Sequence, residues 1–307
     1  MISIVIPVYN EEDNVEPLHR AIVQVMKRLG EPYEVIFSDN NSTDSTLKKL
    51  KGLKGITILR LARNYGQTSN MDAGIGAAQG DIVITVDGDL QNDPEDIPAL
   101  VAKINEGYDV VSGWRKDRHD SFGRRLLSHL ANWLTGAVTG LRLHDSACAM
   151  KAYRREILTD VRLYGEMHVF LPAYLYMQGA RVSEMPVRHH ERHAGVSKHY
   201  FFKAVKNLFD LMTIKFLGGM GGRPLVFFGG LGVLTMSLGV VSGVAAVYLK
   251  LAAVRNFGQT PLPLLASLLI LSGLIFFMMG FLAELMLRIY YETSDRRPYI
   301  VRETIRT

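Results

Sequence analysis

The pentapeptide Asp87-Gly88-Asp89-Leu90-Gln91 follows directly on the apolar run Ile82-Val83-Ile84-Thr85-Val86. A short β-branched run held between Gly80-Asp81 and Gly88 reads as a buried strand. The carboxylates of Asp87 and Asp89 and the amide of Gln91 then fall at alternate positions just past its end. Open α/β sheets bind ligands beyond the carboxyl ends of their strands. Hard oxygen donors suit Mg2+ or Mn2+, and a magnesium ion held by one or two carboxylates fills its shell with substrate phosphates. The competing reading is an acidic turn, because Asp and Gly are common turn residues.

Two more polar clusters belong at the same edge. One apolar run ends in Pro7-Val8-Tyr9-Asn10-Glu11, another in Ser38-Asp39-Asn40-Asn41-Ser42-Thr43-Asp44. Asp39 can accept hydrogen bonds from a base or ribose, and Tyr9 can pack on one; helix caps and turns are the alternative. Gly74, Gly76 and Gly80 do not make a dinucleotide fingerprint, since the spacing is one residue too long and a strand follows them. His189, His190, His193 and His199 lack the further ligands that a zinc site needs. Cys148 is not read as a nucleophile.

The elements that must position these residues alternate. Strands are expected at 2–8, 34–38, 56–61, 82–86, 109–113 and 182–187, with helices at 15–29, 45–51, 68–78 and 94–105. Asp44 or Thr43 would cap the second helix, and Pro94 suits the start of the fourth. A β-α-β-α order implies a mostly parallel sheet with right-handed crossovers. A further helix is expected at 121–140.

The chain has 307 residues, 48% of them hydrophobic, with a formal charge of +5. No long basic block is interleaved with aromatics, so nucleic acid is not an expected partner. The mild positive charge suits an anionic substrate or membrane surface. The single cysteine excludes an intramolecular disulfide and fits reducing surroundings. Met1 leads straight into a strand-like run, and no signal peptide is expected. Hydrophobicity concentrates late in the chain. Leu225–Leu249 and Leu262–Ala283 carry no charge, and about twenty-five residues at ~1.5 Å each cross a hydrocarbon core of ~30 Å. Lys203, Lys206, Lys215 and Arg223 precede the first run; Arg288, Arg296, Arg297, Arg302 and Arg306 follow the second. The positive-inside rule then puts the N-terminal domain and both termini in the cytoplasm of an inner or plasma membrane protein with two spans. Phe201, Phe202, Val205, Leu208, Phe209, Met212 and Phe216 recur at helical spacing, as in a helix lying in the interface plane or one packed on the domain. Glu284 and Arg288 read as an i,i+4 pair near the headgroups. The expected division is a catalytic domain at 1–198, an interfacial helix and hinge at 199–223, two spans within 224–287 and a cytosolic tail at 288–307.

Taken together, these residues resemble the membrane-bound polyprenyl-phosphate glycosyltransferases of glycosyltransferase family two. The likeness runs through Pro7–Glu11, Asp39–Asp44, Arg63-Asn64-Tyr65-Gly66, Asp87–Gln91 with Pro94-Glu95, and Ser112-Gly113-Trp114-Arg115. It continues through Asp145–Arg154, Arg192–Lys198, the two spans and Arg288-Ile289-Tyr290. The stretch at Cys148–Arg154 and the tail from His189 look closest to the aminoarabinose-type branch, except that Ala147 stands where its pattern has glycine. The resemblance implies an α/β GT-A domain, Rossmann-like with a mostly parallel sheet, followed by an interfacial helix and two transmembrane helices. It implies that Pro7, Tyr9, Glu11, Phe37 and Asp39 surround the nucleotide, with Arg63 helping to shape the donor pocket. Asp87 and Gly88 would line the nucleotide sugar, while Asp87, Asp89 and Gln91 hold the metal. Arg115, Arg192 and Lys198 would meet donor phosphates, and Arg115, Arg124 and Ser128 the acceptor phosphate. Asp87, Asp89 and Arg115 would carry catalysis.

The implied reaction moves a sugar from a UDP- or GDP-linked donor to an undecaprenyl or dolichyl phosphate, with inversion. A lipid monophosphate has a second pKa of ~6 and is already an anionic nucleophile, so no general base is needed. Two rivals remain. One is a non-catalytic membrane subunit that binds nucleotide sugar or lipid. The other is a polysaccharide synthase, disfavoured because Arg192 lacks the tryptophan of a Gln-x-x-Arg-Trp signature. The sequence leaves the sugar, the prenyl length and a homo-oligomeric assembly open.

Overall fold

In the computed structural model the described residues are 1–116, 135–159, 161–163, 165–190, 224–252, 255–293 and 301–306. They form two compact units, one of residues 1–218 with 297–307 and one of residues 219–296. The helix and hinge expected at 199–223 lie outside the described residues. Of the helix expected at 121–140, residues 135–139 are described and helical.

The first unit is built on an eight-stranded sheet of order β7-β5-β6-β4-β1-β2-β3-β8. Its strands are β1 (Ile2–Val8), β2 (Tyr33–Asp39), β3 (Ile56–Leu61), β4 (Ile82–Thr85), β5 (Val110–Trp114), β6 (Lys151–Arg154), β7 (Val182–Pro186) and β8 (Val301–Arg306). β6 runs antiparallel to both neighbours and β8 antiparallel to β3; the other pairings are parallel. Helices α1 (Val15–Leu29), α2 (Thr46–Lys51), α3 (Gln67–Ala77), α4 (Ile97–Asn105) and α5 (Met167–Met177) complete the unit.

Every residue of β1 is buried, as a central strand covered on both faces must be. On one face Leu18, Ile22 and Met26 of α1 and Leu100 and Ile104 of α4 join Ile4, Ile6 and Ile84 in one core. On the other, Met71 of α3 and Phe170 and Leu171 of α5 pack with Val5, Ile36, Val83 and Tyr153. Alternate residues of one strand thus feed opposite cores, the period of two that a pleat imposes. Gly74 lies where α3 crosses β1, and a Cβ there would run into Val5 Cγ1. That contact explains a glycine which the fingerprint reading could not.

Local expectations meet small adjustments. Ser45 stands at the N-cap of α2 without a side-chain bond, while Asp44 Oδ1 accepts from Thr46 N at 2.9 Å. Pro94 opens a 3-10 turn (Pro94–Asp96) capped by Asp93, whose carboxylate accepts from Glu95 N at 3.0 Å. Three elements had no reading in the sequence: β6, α5 and β8. β6 is only four residues long, α5 carries Pro172 inside it and β8 is polar (VRETIR), so none shows a clear period.

The second unit is a pair of helices, α6 (Pro224–Leu251) and α7 (Leu262–Thr293). Both are long and apolar enough to cross a membrane, and only 17% of each best window is buried. A core helix of a soluble protein would be mostly covered. The pair meets through glycine, with a Cβ on Gly232 falling 2.6 Å from Gly273 O and one on Gly273 falling 2.6 Å from Gly232 O. Small residues at the crossing let the backbones approach closely, the usual solution in lipid.

Candidate active site

β1, β2 and β3 are laid down in one direction across the sheet and β4 on the other side of β1. The turn after β1 and the turn after β4 therefore part at a topological switch point, where open sheets bind their ligands. A cleft of about 460 Å³ lies there, lined by Pro7, Val8, Tyr9, Glu11, Asn40, Asn64, Gly66, Gln67, Asn70, Asp87, Gly88 and Asp89. Of the residues expected to bind the donor, Pro7, Tyr9, Glu11, Asp87, Gly88 and Asp89 are on its wall. A smaller cavity, about 210 Å³ beside α3 and Arg155, carries none of the expected residues.

The cleft is made by turns that the backbone adopts at a cost. Asn10, Asn41 and Leu90 have φ of 56°, 61° and 60°, and they follow β1, β2 and β4 respectively. Left-handed non-glycine residues are uncommon and cluster at functional sites. Asparagine side chains brace the neighbouring turns: Asn10 Oδ1 accepts from Thr43 N at 2.8 Å, and Asn40 Oδ1 from Tyr65 N at 2.9 Å. Gly88 must be glycine because a Cβ would lie 2.7 Å from Val8 Cγ1. Asp87 and Asp89 are thereby pressed against the end of β1.

Asp87 Oδ1 accepts from Gln67 Nε2 at 3.0 Å. Burial, and then the Asp89 charge, push the Asp87 carboxyl up to about 6, against the pull of Lys151, Arg115 and Gln67. Asp89 Oδ1 accepts from Gln91 N at 3.2 Å. Gln91 Nε2 donates to His190 O at 3.4 Å, an orientation that reserves Oε1 as an acceptor. Two mutually repelling carboxylates with a side-chain amide oxygen nearby form a donor set suited to a hard divalent cation. His190 N in turn donates to Gln91 O at 2.9 Å, so the start of the histidine-rich segment is tied to the acidic turn. Among the described residues no three His, Cys, Asp or Glu side chains form a metal cluster of their own.

Asp39 is fully buried; its Oδ1 accepts from Ser42 N at 3.0 Å and Ser42 Oγ at 2.5 Å, and its Oδ2 has no partner. A buried carboxylate oxygen left unpaired is costly unless a ligand donates to it. Phe37 lies in the core under α1, below the cleft rather than on its wall. Arg63 stacks over Tyr65, 4.7 Å from the ring centroid, and is not among the lining residues. Arg124, Ser128, Arg192 and Lys198 lie outside the described residues.

Arg115 ends β5. Its Nε and Nη2 donate to Asp145 Oδ2 and Oδ1 at 2.6 and 2.8 Å, and only 13% of the side chain is exposed. Burial works against its charge, but the Asp145 carboxylate more than compensates and its pKa rises. The bidentate clasp leaves the Nη1 side of the fork for an anion. Sequence reasoning missed Gln67, Asn70, Asp145 and Lys151 as site residues. Gln67 follows directly on the Arg63–Gly66 motif, and Asp145 and Lys151 fall within the Asp145–Arg154 stretch of the family likeness, which were the available signals.

A cleft at the switch point of a mostly parallel sheet, with paired acids at a strand end, suits an enzyme that holds a phosphorylated ligand through a divalent cation. The glycosyl transferase family 2 model matches residues 3–162, and the chain belongs to that family. It is 39% identical over 314 residues to the dodecaprenyl-phosphate galacturonate synthase of Rhizobium johnstonii, covering 98% of this chain and 92% of that one. It is 36% identical over 312 residues to an undecaprenyl-phosphate 4-deoxy-4-formamido-L-arabinose transferase of Klebsiella pneumoniae, covering 99% and 94%. Among solved structures, glucosyl-3-phosphoglycerate synthase from Mycobacterium tuberculosis with Mn2+, UDP and phosphoglyceric acid aligns at TM-score 0.54. That match has 20% identity and covers 70% of this chain and 78% of the other. Mannosyl-3-phosphoglycerate synthase from Rubrobacter xylanophilus aligns at 0.55 and 14% identity, covering 70% and 74%. These last two likenesses establish the GT-A fold.

Proposed function

We propose that this glycosyltransferase moves a sugar from a nucleotide-sugar donor to a polyprenyl phosphate at the cytoplasmic face of a membrane, with inversion at the anomeric carbon. The observation that carries the reading is the acid pair Asp87/Asp89 at the switch-point cleft, in a chain that also holds two membrane-length helices. The two relatives described above differ in the sugar they are named for but share a polyprenyl-phosphate acceptor. The acceptor class is therefore the part of their chemistry that transfers, and the sugar is left to experiment.

The chemistry follows from charge. The acceptor phosphate is its own nucleophile near neutral pH, having a second pKa of ~6, so the site needs no base. What it needs is charge compensation, for two polyanions must meet. Asp87, Asp89 and Gln91 would hold Mg2+ or Mn2+, which when bound stabilises the departing diphosphate oxygens as a Lewis acid. The Nη1 side of Arg115 would bind the acceptor phosphate in this reading, with Arg124 and Ser128, while Arg192 and Lys198 would bind the donor. Tyr9 packs on the base, and Asp39 Oδ2 takes a donor hydrogen bond from base or ribose, which would satisfy the unpaired oxygen.

Cytoplasmic placement rests on the flanking lysines and arginines. Pairing of β8 with β3 bears on a separate point, that the two ends of the chain share one side of the membrane. α6 and the apolar part of α7 cover the spans expected within 224–287, whereas α7 continues to Thr293 and residues 301–306 of the expected tail join the catalytic sheet as β8. A screen of radiolabelled UDP- and GDP-sugars with purified full-length protein, undecaprenyl phosphate and Mg2+ or Mn2+ tests the proposal. Label should enter the lipid phase with one donor and vanish with chelator. Nucleotide-sugar binding without any transfer would favour the non-catalytic subunit instead.

A further inference from the structure

β6 lies between β4, whose end carries Asp87, and β5, whose end carries Arg115. Because it runs antiparallel to both, the residues just before it, 145–150, sit at the carboxyl edge where the other two strands finish. Lys151, its first residue, is 3% exposed and pairs with Thr85 on one side and Ser112 on the other. Its ammonium turns back toward that edge, donating to Ser146 O at 3.1 Å and to Cys148 O. One buried cation thus folds residues 146–151 into a closed knuckle. The knuckle is braced to β4 by Thr85 Oγ1 donating to Ala149 O at 2.7 Å, and to β5 by Gly113 N donating to Met150 O at 2.9 Å. Gly113 leaves no room for slack, since a Cβ there would stand 2.8 Å from Met150 O. At the head of the knuckle is Asp145, 6% exposed, which clasps Arg115 in two hydrogen bonds.

We infer that Lys151 is a positioning residue for Arg115, fixing through the 145–148 backbone and Asp145 the direction in which the guanidinium meets a substrate phosphate. A fully buried ammonium is an expensive way to stabilise a strand, and neutral replacements of buried charges are often tolerated or stabilising. The fork that Lys151 orients has a narrow geometric tolerance, because bidentate phosphate recognition depends on the plane of the guanidinium. Lys151 itself touches no substrate. Asp145 carries its position to Arg115, which stands near enough to Asp87 for the two charges to interact.

The inference rests on the proposed role of Arg115, and a double-mutant cycle in full-length protein separates the two. Turnover with nucleotide sugar and undecaprenyl phosphate is measured for Arg115→Gln, Lys151→Met and the pair, with folding followed by circular dichroism. Arg115→Gln should lower kcat strongly; wild-type turnover in that variant would refute the phosphate role and with it the basis of this inference. Lys151→Met should lower kcat about ten- to a hundredfold, the scale of a small misplacement at a reacting centre, with the donor KM changed less than about threefold. In the Arg115→Gln background the same change should cost less than about twofold, because coupled residues are not additive. A full cost in that background, or no cost in the Arg115 background, would overturn the inference. Should Lys151→Met not fold, Lys151→Gln, whose amide NH2 can still donate to a carbonyl, is carried through the same cycle and judged by the same two outcomes.

Discussion

The two edges of the catalytic sheet are built on opposite terms. At the amino edge the polar groups close on one another. The Met1 ammonium meets Asp81 at 2.9 Å, Ser3 Oγ donates to Glu34 at 2.5 Å, and Glu34 also accepts from Gln79 N at 2.6 Å. Gly80 N completes the set by donating to Ser3 Oγ at 2.7 Å. At the carboxyl edge Asn10, Asn41 and Leu90 hold left-handed backbone, Asp39 Oδ2 is unpaired and Asp87 is pushed up to about 6. One edge is satisfied without a ligand and the other is not. Marginal overall stability makes such strain affordable only locally, so the strained edge marks where binding occurs.

The largest contrast should come from Asp89→Asn. It removes a charge from the acid pair but keeps side-chain size, so turnover should fall by about a thousandfold or more, while the melting temperature stays within a few degrees. Sugar transfer at the wild-type rate would remove the acid pair from the mechanism. Gly88→Ala comes next, because its methyl must displace Val8 Cγ1 from 2.7 Å at the end of β1. Overpacking of this kind costs about 1–3 kcal/mol, and here it should also spread Asp87 from Asp89 and weaken metal-dependent donor binding. Calorimetric titration with a donor nucleotide in the presence of Mn2+ reads the second effect separately from the first.

The amino edge should answer differently. Glu34→Ala removes one acceptor shared by Ser3 Oγ and Gln79 N. The loss should be about 1–2 kcal/mol of stability in a denaturant titration, with kcat unchanged. A drop in kcat at constant stability would mean that the two edges are coupled through the sheet, and the division drawn here would fail.

How far the sequence carried this division depends on the kind of signal each residue leaves. β1, α1 and β3 were readable to the residue because their apolar patterns are uninterrupted, and α1 stops at Gly30. The acidic turn was readable because chemistry at a strand end uses few residue types. Lys151 and Asp145 were not, because their meaning depends on β6 reversing direction between two parallel strands. That reversal leaves no mark in four residues, KAYR. Phe37 differs again: its strand was read correctly, and the structure places it in the core two places before the edge, not among the residues lining the cleft. β8 was missed for the same reason as β6, since pairing at a sheet edge is a long-range fact.

The smallest effect sharpens the comparison, because Cys148 lies at the carboxyl edge yet does no chemistry there. It is fully buried, and burial, followed by the Asp145 charge, pushes its thiol up to about 11. The sign is unfavourable to reactivity: with the pKa raised, the thiolate appears only as pH climbs toward that value. At pH 8 about one thiol in a thousand is ionised, against a few tenths for a free cysteine, and access is blocked as well. Iodoacetamide should therefore leave the native protein unlabelled at pH 8 and label it fully in denaturant. Cys148→Ala keeps the backbone carbonyl that Lys151 uses and removes only a small apolar side chain, so it should cost about 1 kcal/mol of stability and leave kcat intact. Native labelling at pH 8, or a large loss of turnover in that variant, would mean that the thiol side of the knuckle belongs to the reaction, and that the strained edge extends beyond its acids and its arginine.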